Sequence, residues 1–178
     1  MAKGRIAGIL AVLVLLLGVQ AAAQILTPEQ MGLNYSVSAG VGLMANSIFD
    51  TNSVPSIGFG WYDTAGSIFG NNAAFGLTAD WMLVKRNNGE DVNLVPLLFN
   101  YRQYGAISSY RVFATLGVGI LATTDSIPEM GLEDGANLGW TVGVGLDITN
   151  NLFFQGRFIA GSDPGDDGVT SLQLGYRL

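Results

Sequence analysis

From Leu33 onward the chain alternates apolar and polar residues with a period of two, broken at intervals by short stretches of turn-forming residues. Between Leu33 and Ala45, Leu33, Tyr35, Val37, Ala39, Val41 and Leu43 share one face, and Asn34, Ser36, Ser38, Gly40 and Gly42 share the other. A period of two places successive side chains on opposite sides of an extended backbone, so the segment predicts a strand and excludes a helix. Seven further segments repeat the pattern. They are about Val54 to Asp63, Ala73 to Lys85, Val92 to Tyr104, Ser109 to Ala122, Ala136 to Ile148, Leu152 to Gly161 and Val169 to Leu178. In the second, Ile57, Phe59 and Trp61 oppose Gly58, Gly60 and Tyr62; in the third, Phe75, Leu77, Ala79, Trp81 and Leu83 oppose Gly76, Thr78, Asp80 and Met82. Pro96 lies in the middle of the fourth and, lacking a backbone donor, predicts a bulge there.

The connections differ by parity. Those after even-numbered strands are mostly tight, at Gly105 to Ser108 and Thr149 to Asn151, with Thr64 to Asn72 longer than the pattern requires. Those after odd-numbered strands are longer or acidic, as in Thr123 to Gly135 and Ser162 to Gly168. The fold expected is all-β, an eight-stranded antiparallel up-and-down barrel.

Alternation alone does not say which face is wet, and composition answers that. Only 12% of the residues are charged and 25 are glycine, whereas a solvated protein surface carries about a quarter to a third charged residues. The polar face is mainly Gly, Ser, Thr and Asn, a composition suited to a crowded interior, so the apolar face is expected to meet lipid. Asp80, Arg102, Arg111, Asp147, Arg157 and Arg177 then point into the lumen. Left unpaired there they would be costly, which predicts an internal polar network with Asp147 near Arg111, and with Asp80 and Arg157 at mid-height. On the lipid face, Tyr35, Phe75, Tyr110 and Phe154 open strands running one way, while Trp61, Tyr101 and Tyr176 close strands running back. All seven fall toward one end as an interfacial aromatic girdle.

The last strand ends on Leu174, Tyr176 and Leu178. This ending resembles the C-terminal signature of bacterial outer-membrane β-barrels, an aromatic residue, any residue and a terminal hydrophobic, here Tyr176, Arg177 and Leu178. The family more often ends in Phe. In strand count, alternation and topology the chain is similar to the membrane domain of outer-membrane protein A. The resemblance implies location in the bacterial outer membrane, contact with outer-membrane lipids and recognition by the barrel-assembly machinery.

The N-terminus supports export. Lys3 and Arg5 precede an apolar run from Ile6 to Val19, too short for the ~20 residues of a spanning helix, and Ala21-Ala22-Ala23 follows as a cleavage site. Residues 1–23 are therefore expected to be a removed signal peptide, 24–32 a short periplasmic lead and 33–178 the barrel.

The chain has no cysteine and no histidine, which excludes disulfides, Ser-His-Asp and Cys-His catalysis and the common zinc sites. On that ground the protein is expected not to be an enzyme and to need no cofactor. A net charge of -6 without basic clusters argues against nucleic acid. Asp163, Asp166 and Asp167 offer hard oxygen ligands for calcium but lack the spacing of a recognised calcium loop. The expected role is structural or surface-interacting, with a largely plugged polar lumen and a surface or envelope protein as a candidate partner. The alternatives are a narrow pore or transporter for small or apolar solutes and a soluble secreted ligand-binding barrel.

Overall fold

A computed structural model describes residues 35–44, 53–63, 73–85, 90–108, 110–162 and 168–178. They form eight antiparallel strands: β1 (Tyr35–Met44), β2 (Ser53–Asp63), β3 (Ala73–Lys85), β4 (Asp91–Ile107), β5 (Tyr110–Thr123), β6 (Gly135–Asp147), β7 (Leu152–Gly161) and β8 (Gly168–Arg177). Each pairs with its sequence neighbours, and β8 pairs with β1 to close the barrel. Closure removes every free edge, so the ladder groups pair within the sheet apart from the gap beside Pro96, as a bilayer demands. Closure also sets a tight limit at Gly40. A Cβ there would lie 1.9 Å from the backbone oxygen of Leu172, so only glycine fits at that crossing of β1 and β8.

The alternation read from the chain is the alternation of the barrel wall. Ile57, Phe59, Leu77, Leu97, Phe99, Leu116, Val118, Leu138 and Leu174 are exposed on the outside, while Ser56, Thr78, Asp80, Asn100, Thr115, Thr141, Ser171 and Gln173 are buried in the lumen. β4 is longer than expected, running to Ile107 although its alternation gives way to a buried run from Arg102 to Gly105, and the turn to β5 bends at Ser108 with φ 58°.

The expected bulge at Pro96 does not occur. Pro96 stands opposite Leu121 in an unbroken β4–β5 register, and toward β3 the same register holds on both sides, with Ala79 opposite Leu97 and Met82 opposite Leu94. Proline costs a donor without requiring an extra residue, and here the ladder to β3 passes over that position with no shift.

The lumen is layered. At the end bearing the 124–134 connection, Val54, Met82, Val84, Val92, Leu94, Leu98, Leu121, Ile159 and Val169 line an apolar chamber. Ile127, Met130 and Leu132 of that connection fill it, each almost wholly buried. At the opposite end, Tyr62, Ala74, Tyr104, Phe113 and Phe153 form an aromatic layer. Polar and charged side chains occupy the space between and below. The end carrying the 124–134 connection is termed the loop end, and the other the turn end.

Candidate functional site: the sealed lumen

Each lumenal charge is placed by strand parity and then held by partners from across the barrel. Arg157 of β7 reaches β3, where Nη2 donates to Asp80 Oδ1 at 2.6 Å, and the two side chains are each 1% exposed. Gln173 of β8 joins them. Its Oε1 accepts from Arg157 Nη2 at 3.1 Å and from Gln155 Nε2 at 2.7 Å, and its Nε2 donates to Ser56 Oγ at 2.7 Å and Asp80 Oδ1 at 3.0 Å. Asn100 Nδ2 donates to Thr78 Oγ1 at 2.9 Å, which also accepts from Arg157 Nη1 at 3.4 Å. The middle layer is thus a single hydrogen-bonded set drawn from β2, β3, β4, β7 and β8.

Arg102 has a different environment. Its guanidinium donates to Tyr62 Oη at 2.9 Å, Gln155 Oε1 at 3.2 Å, Thr115 Oγ1 at 3.3 Å and Tyr104 Oη at 3.4 Å, all neutral acceptors. Its Cζ lies 3.9 Å from the centroid of the Tyr62 ring and 4.2 Å from that of Phe113. Ring faces carry negative potential, so the aromatic layer stabilises this desolvated cation where a carboxylate would ordinarily do so. A second ionic group closes the turn end. Asp147 accepts from both Arg111 and Arg177, Arg177 also donates to the backbone oxygen of Asn150 at 3.1 Å, and its Cζ lies 4.9 Å from the Phe153 ring.

The six charges therefore divide into an Asp80 and Arg157 pair, an Arg111, Asp147 and Arg177 triad, and Arg102 among aromatic rings. The hydroxyls of Tyr62 and Tyr104 are the contributors least visible in the chain. Tyr62 lies on the polar face by parity, yet nothing in its spacing announces a cation above its ring.

The residues of the expected aromatic girdle are on the outer wall. Tyr35 stands opposite Trp61 and Phe75 opposite Tyr101, the latter pair with ring centroids 5.4 Å apart. Tyr110, Phe154 and Tyr176 are exposed near the same end. Toward the loop end, Trp81 Nε1 donates to Asn93 Oδ1 at 2.9 Å, and Asn93 N donates to Thr124 Oγ1 at 3.0 Å. At the terminus, Leu174 and Tyr176 face outward and Leu178 N donates to Tyr35 O at 3.0 Å, so the final residue still bonds to β1.

Residues 1–34, with the expected signal peptide and lead, and Asp163, Asp166 and Asp167 lie outside the described residues. Among the described residues no group of three acidic side chains is arranged to hold a metal ion.

No family model and no curated protein sequence matches the chain. Solved structures do. The outer membrane enzyme PagL superposes with a TM-score of 0.57 at 20% sequence identity, over 80% of this chain and 98% of its own. Neisserial surface protein A superposes with a TM-score of 0.53 at 16% identity, over 83% of this chain and 96% of its own. Combined with an apolar outer wall and a charged, closed interior, this decides the fold. The chain has the fold of the small eight-stranded outer-membrane β-barrels.

One expectation is corrected by the comparison. The absence of histidine and cysteine argues against an enzyme, but PagL is an outer membrane enzyme built on this barrel fold. The architecture is therefore compatible with catalysis. A missing histidine removes only the mechanisms that depend on one. The likeness itself is one of fold.

Proposed function

We propose that this barrel acts as a closed structural element of the outer membrane that presents its loop end to a surface or envelope partner. The observation that carries the reading is the double seal of the lumen. Ile127, Met130 and Leu132 fill one end, and the Tyr62, Tyr104, Phe113 and Phe153 layer fills the other, with the Asp80 and Arg157 pair between. An interior filled by side chains leaves no continuous aqueous path.

In this reading residues 1–23 direct export and are removed, and Leu174, Tyr176 and Leu178 are recognised during assembly. The girdle of Tyr35, Trp61, Phe75, Tyr101, Tyr110, Phe154 and Tyr176 sets the depth of the barrel among outer-membrane lipids. The 124–134 connection turns Ile127, Met130 and Leu132 inward and leaves Glu133 and Asp134 outside, which supplies a polar surface for a partner.

Single-channel recording on the purified protein in planar bilayers tests the reading. No resolvable conductance is expected. A steady open level would replace the structural role with the narrow pore for small solutes.

A further inference from the structure

The lumenal charges do not balance at the turn end. Asp80 and Arg157 cancel in the middle layer. Among the described residues the turn-end half of the lumen then holds Arg102, Arg111 and Arg177 against the single carboxylate of Asp147, a surplus of two positive charges in a closed space. The segments that turn the chain there do not offset it. Residues 64–72, 105–109 and 148–151 contain no aspartate or glutamate, whereas acids crowd the loop end, as at Asp125, Glu129, Glu133 and Asp134. Asp63 and the chain-terminal carboxylate of Leu178 also lie at the turn end. Each follows a lumenal residue, Tyr62 or Arg177, and falls on the outer side by parity.

The three arginines differ in the donors they have left. Arg102 lies behind the aromatic layer with its guanidinium on Tyr62, Tyr104, Thr115 and Gln155. Arg177 is 3% exposed and divides Nη1 and Nη2 between Asn150 O and Asp147. Arg111 gives only Nε to Asp147, and neither Nη1 nor Nη2 has a partner among the described residues. At 12% its side chain is also the most open of the lumenal charges. It stands one lumenal step beyond Phe113 toward the turn end, with Cζ 6.0 Å from the Tyr104 ring.

We propose that the turn-end mouth of the barrel binds a phosphate group on the Nη1 and Nη2 edge of Arg111. With Asp147 on the Nε side, the end of the guanidinium is left as two parallel N–H donors, which match two oxygens of one anion. Asp147 takes Arg111 on one oxygen and Arg177 on the other, so a second guanidinium adds its charge beside the first. The surplus selects among oxyanions. A phosphomonoester carries about −1.5 to −2 at pH 7 and neutralises it, whereas a monocarboxylate leaves half of it in place. A mouth of one sign with apolar walls also concentrates its field on an approaching anion. A free phosphate and a lipid phosphate share this chemistry.

Protein labelled with 15N-arginine and folded in dodecyl maltoside micelles, which contain no phosphate, is titrated with sodium phosphate, with sodium acetate at equal ionic strength, and with dioleoyl phosphatidic acid added to the micelle. The Arg111 Nε resonance, identified by its loss in Arg111→Lys, is expected to shift saturably with phosphate and to respond at least about tenfold more weakly to acetate. Saturation by inorganic phosphate identifies a free anion as the ligand, and saturation by phosphatidic acid alone identifies a lipid head group. Arg111→Lys keeps the charge but not the two-donor edge, and is expected to weaken phosphate binding about tenfold, read from the Arg177 Nε resonance. No saturable shift with either phosphate source, an acetate response equal to that of phosphate, or undiminished phosphate binding in Arg111→Lys would each overturn the proposal. The result is independent of conductance and of any loop-end partner, because no loop-end residue takes part.

Discussion

Removing Arg157 should be far more damaging than removing Arg157 and Asp80 together. In the folded barrel the Asp80 carboxylate is 1% exposed and its Oδ1 accepts from Arg157 Nη2 at 2.6 Å and Gln173 Nε2 at 3.0 Å. Arg157→Met keeps an unbranched apolar stem but leaves Asp80 buried with Gln173 as its remaining donor. Breaking a buried pair by deleting one partner costs about 3–5 kcal/mol, because an uncompensated charge stays behind. Asp80→Leu combined with Arg157→Met removes both charges, and such replacements are commonly neutral or stabilising by about 1–4 kcal/mol. The double variant should therefore recover most or all of the loss, giving a coupling of at least ~3 kcal/mol. Equilibrium urea unfolding in phosphatidylcholine vesicles, followed by the fluorescence of Trp61, Trp81 and Trp140, measures each corner of the cycle. A coupling near zero, with the double variant as unstable as the single ones added together, would refute the assignment of Arg157 and Asp80 as one desolvated pair.

Other outcomes follow from the same geometry. Asp147→Asn leaves Arg111 and Arg177 without their shared carboxylate and should lower stability by about 2–4 kcal/mol, seen as a fall in the urea midpoint. Gly40→Ala places a methyl group against the Leu172 carbonyl and should cut the yield of folded barrel sharply, whereas Gly135→Ala, with open space around its Cβ, should cost about 1 kcal/mol through its positive φ alone. Replacing both Tyr176 and Leu178 by Asp should block assembly much more than the same change in the 162–168 connection, and equal outer-membrane yields would count against the terminal signature. The folded protein should run faster than the boiled protein on a denaturing gel, and identical mobilities would count against a closed barrel.

The strands were legible because a lipid-facing wall enforces period two over its whole length. β3 and β7 carry the bounds expected of them, and the others differ by a few residues at their ends, where lipid no longer demands the alternation. The lumenal positions of Asp80, Arg102, Arg111, Asp147, Arg157 and Arg177 follow from the same parity. What parity does not encode is reach across the barrel. Arg157 meets Asp80 from the opposite wall because strand tilt and stagger bring β7 and β3 to one level, and Arg102 lies over Tyr62 for the same reason. The plug was the least legible feature. Ile127, Met130 and Leu132 stand among Asp125, Glu129, Glu133 and Asp134 with no periodicity, so the stretch reads as an acidic loop. The apolar lining of β2, β3, β4 and β5 at their loop ends was the available sign that something apolar had to cover it. Pro96 misled for a specific reason. A lost backbone donor predicts a change of register, while the structure shows only a missing rung.

The central claim is that the apolar face of the wall meets lipid and the polar face a sealed interior, and the absence of native cysteine allows it to be tested residue by residue. Single cysteines from Thr170 to Arg177, each carrying a nitroxide label, are compared in reconstituted membranes for collision with oxygen, which concentrates in lipid, and with a water-soluble nickel chelate. Leu172, Leu174 and Tyr176 are predicted to show high oxygen and low nickel collision, and Ser171, Gln173 and Gly175 to be shielded from both. High nickel collision at Leu172 and Leu174 would place water on the outer wall and contradict the account.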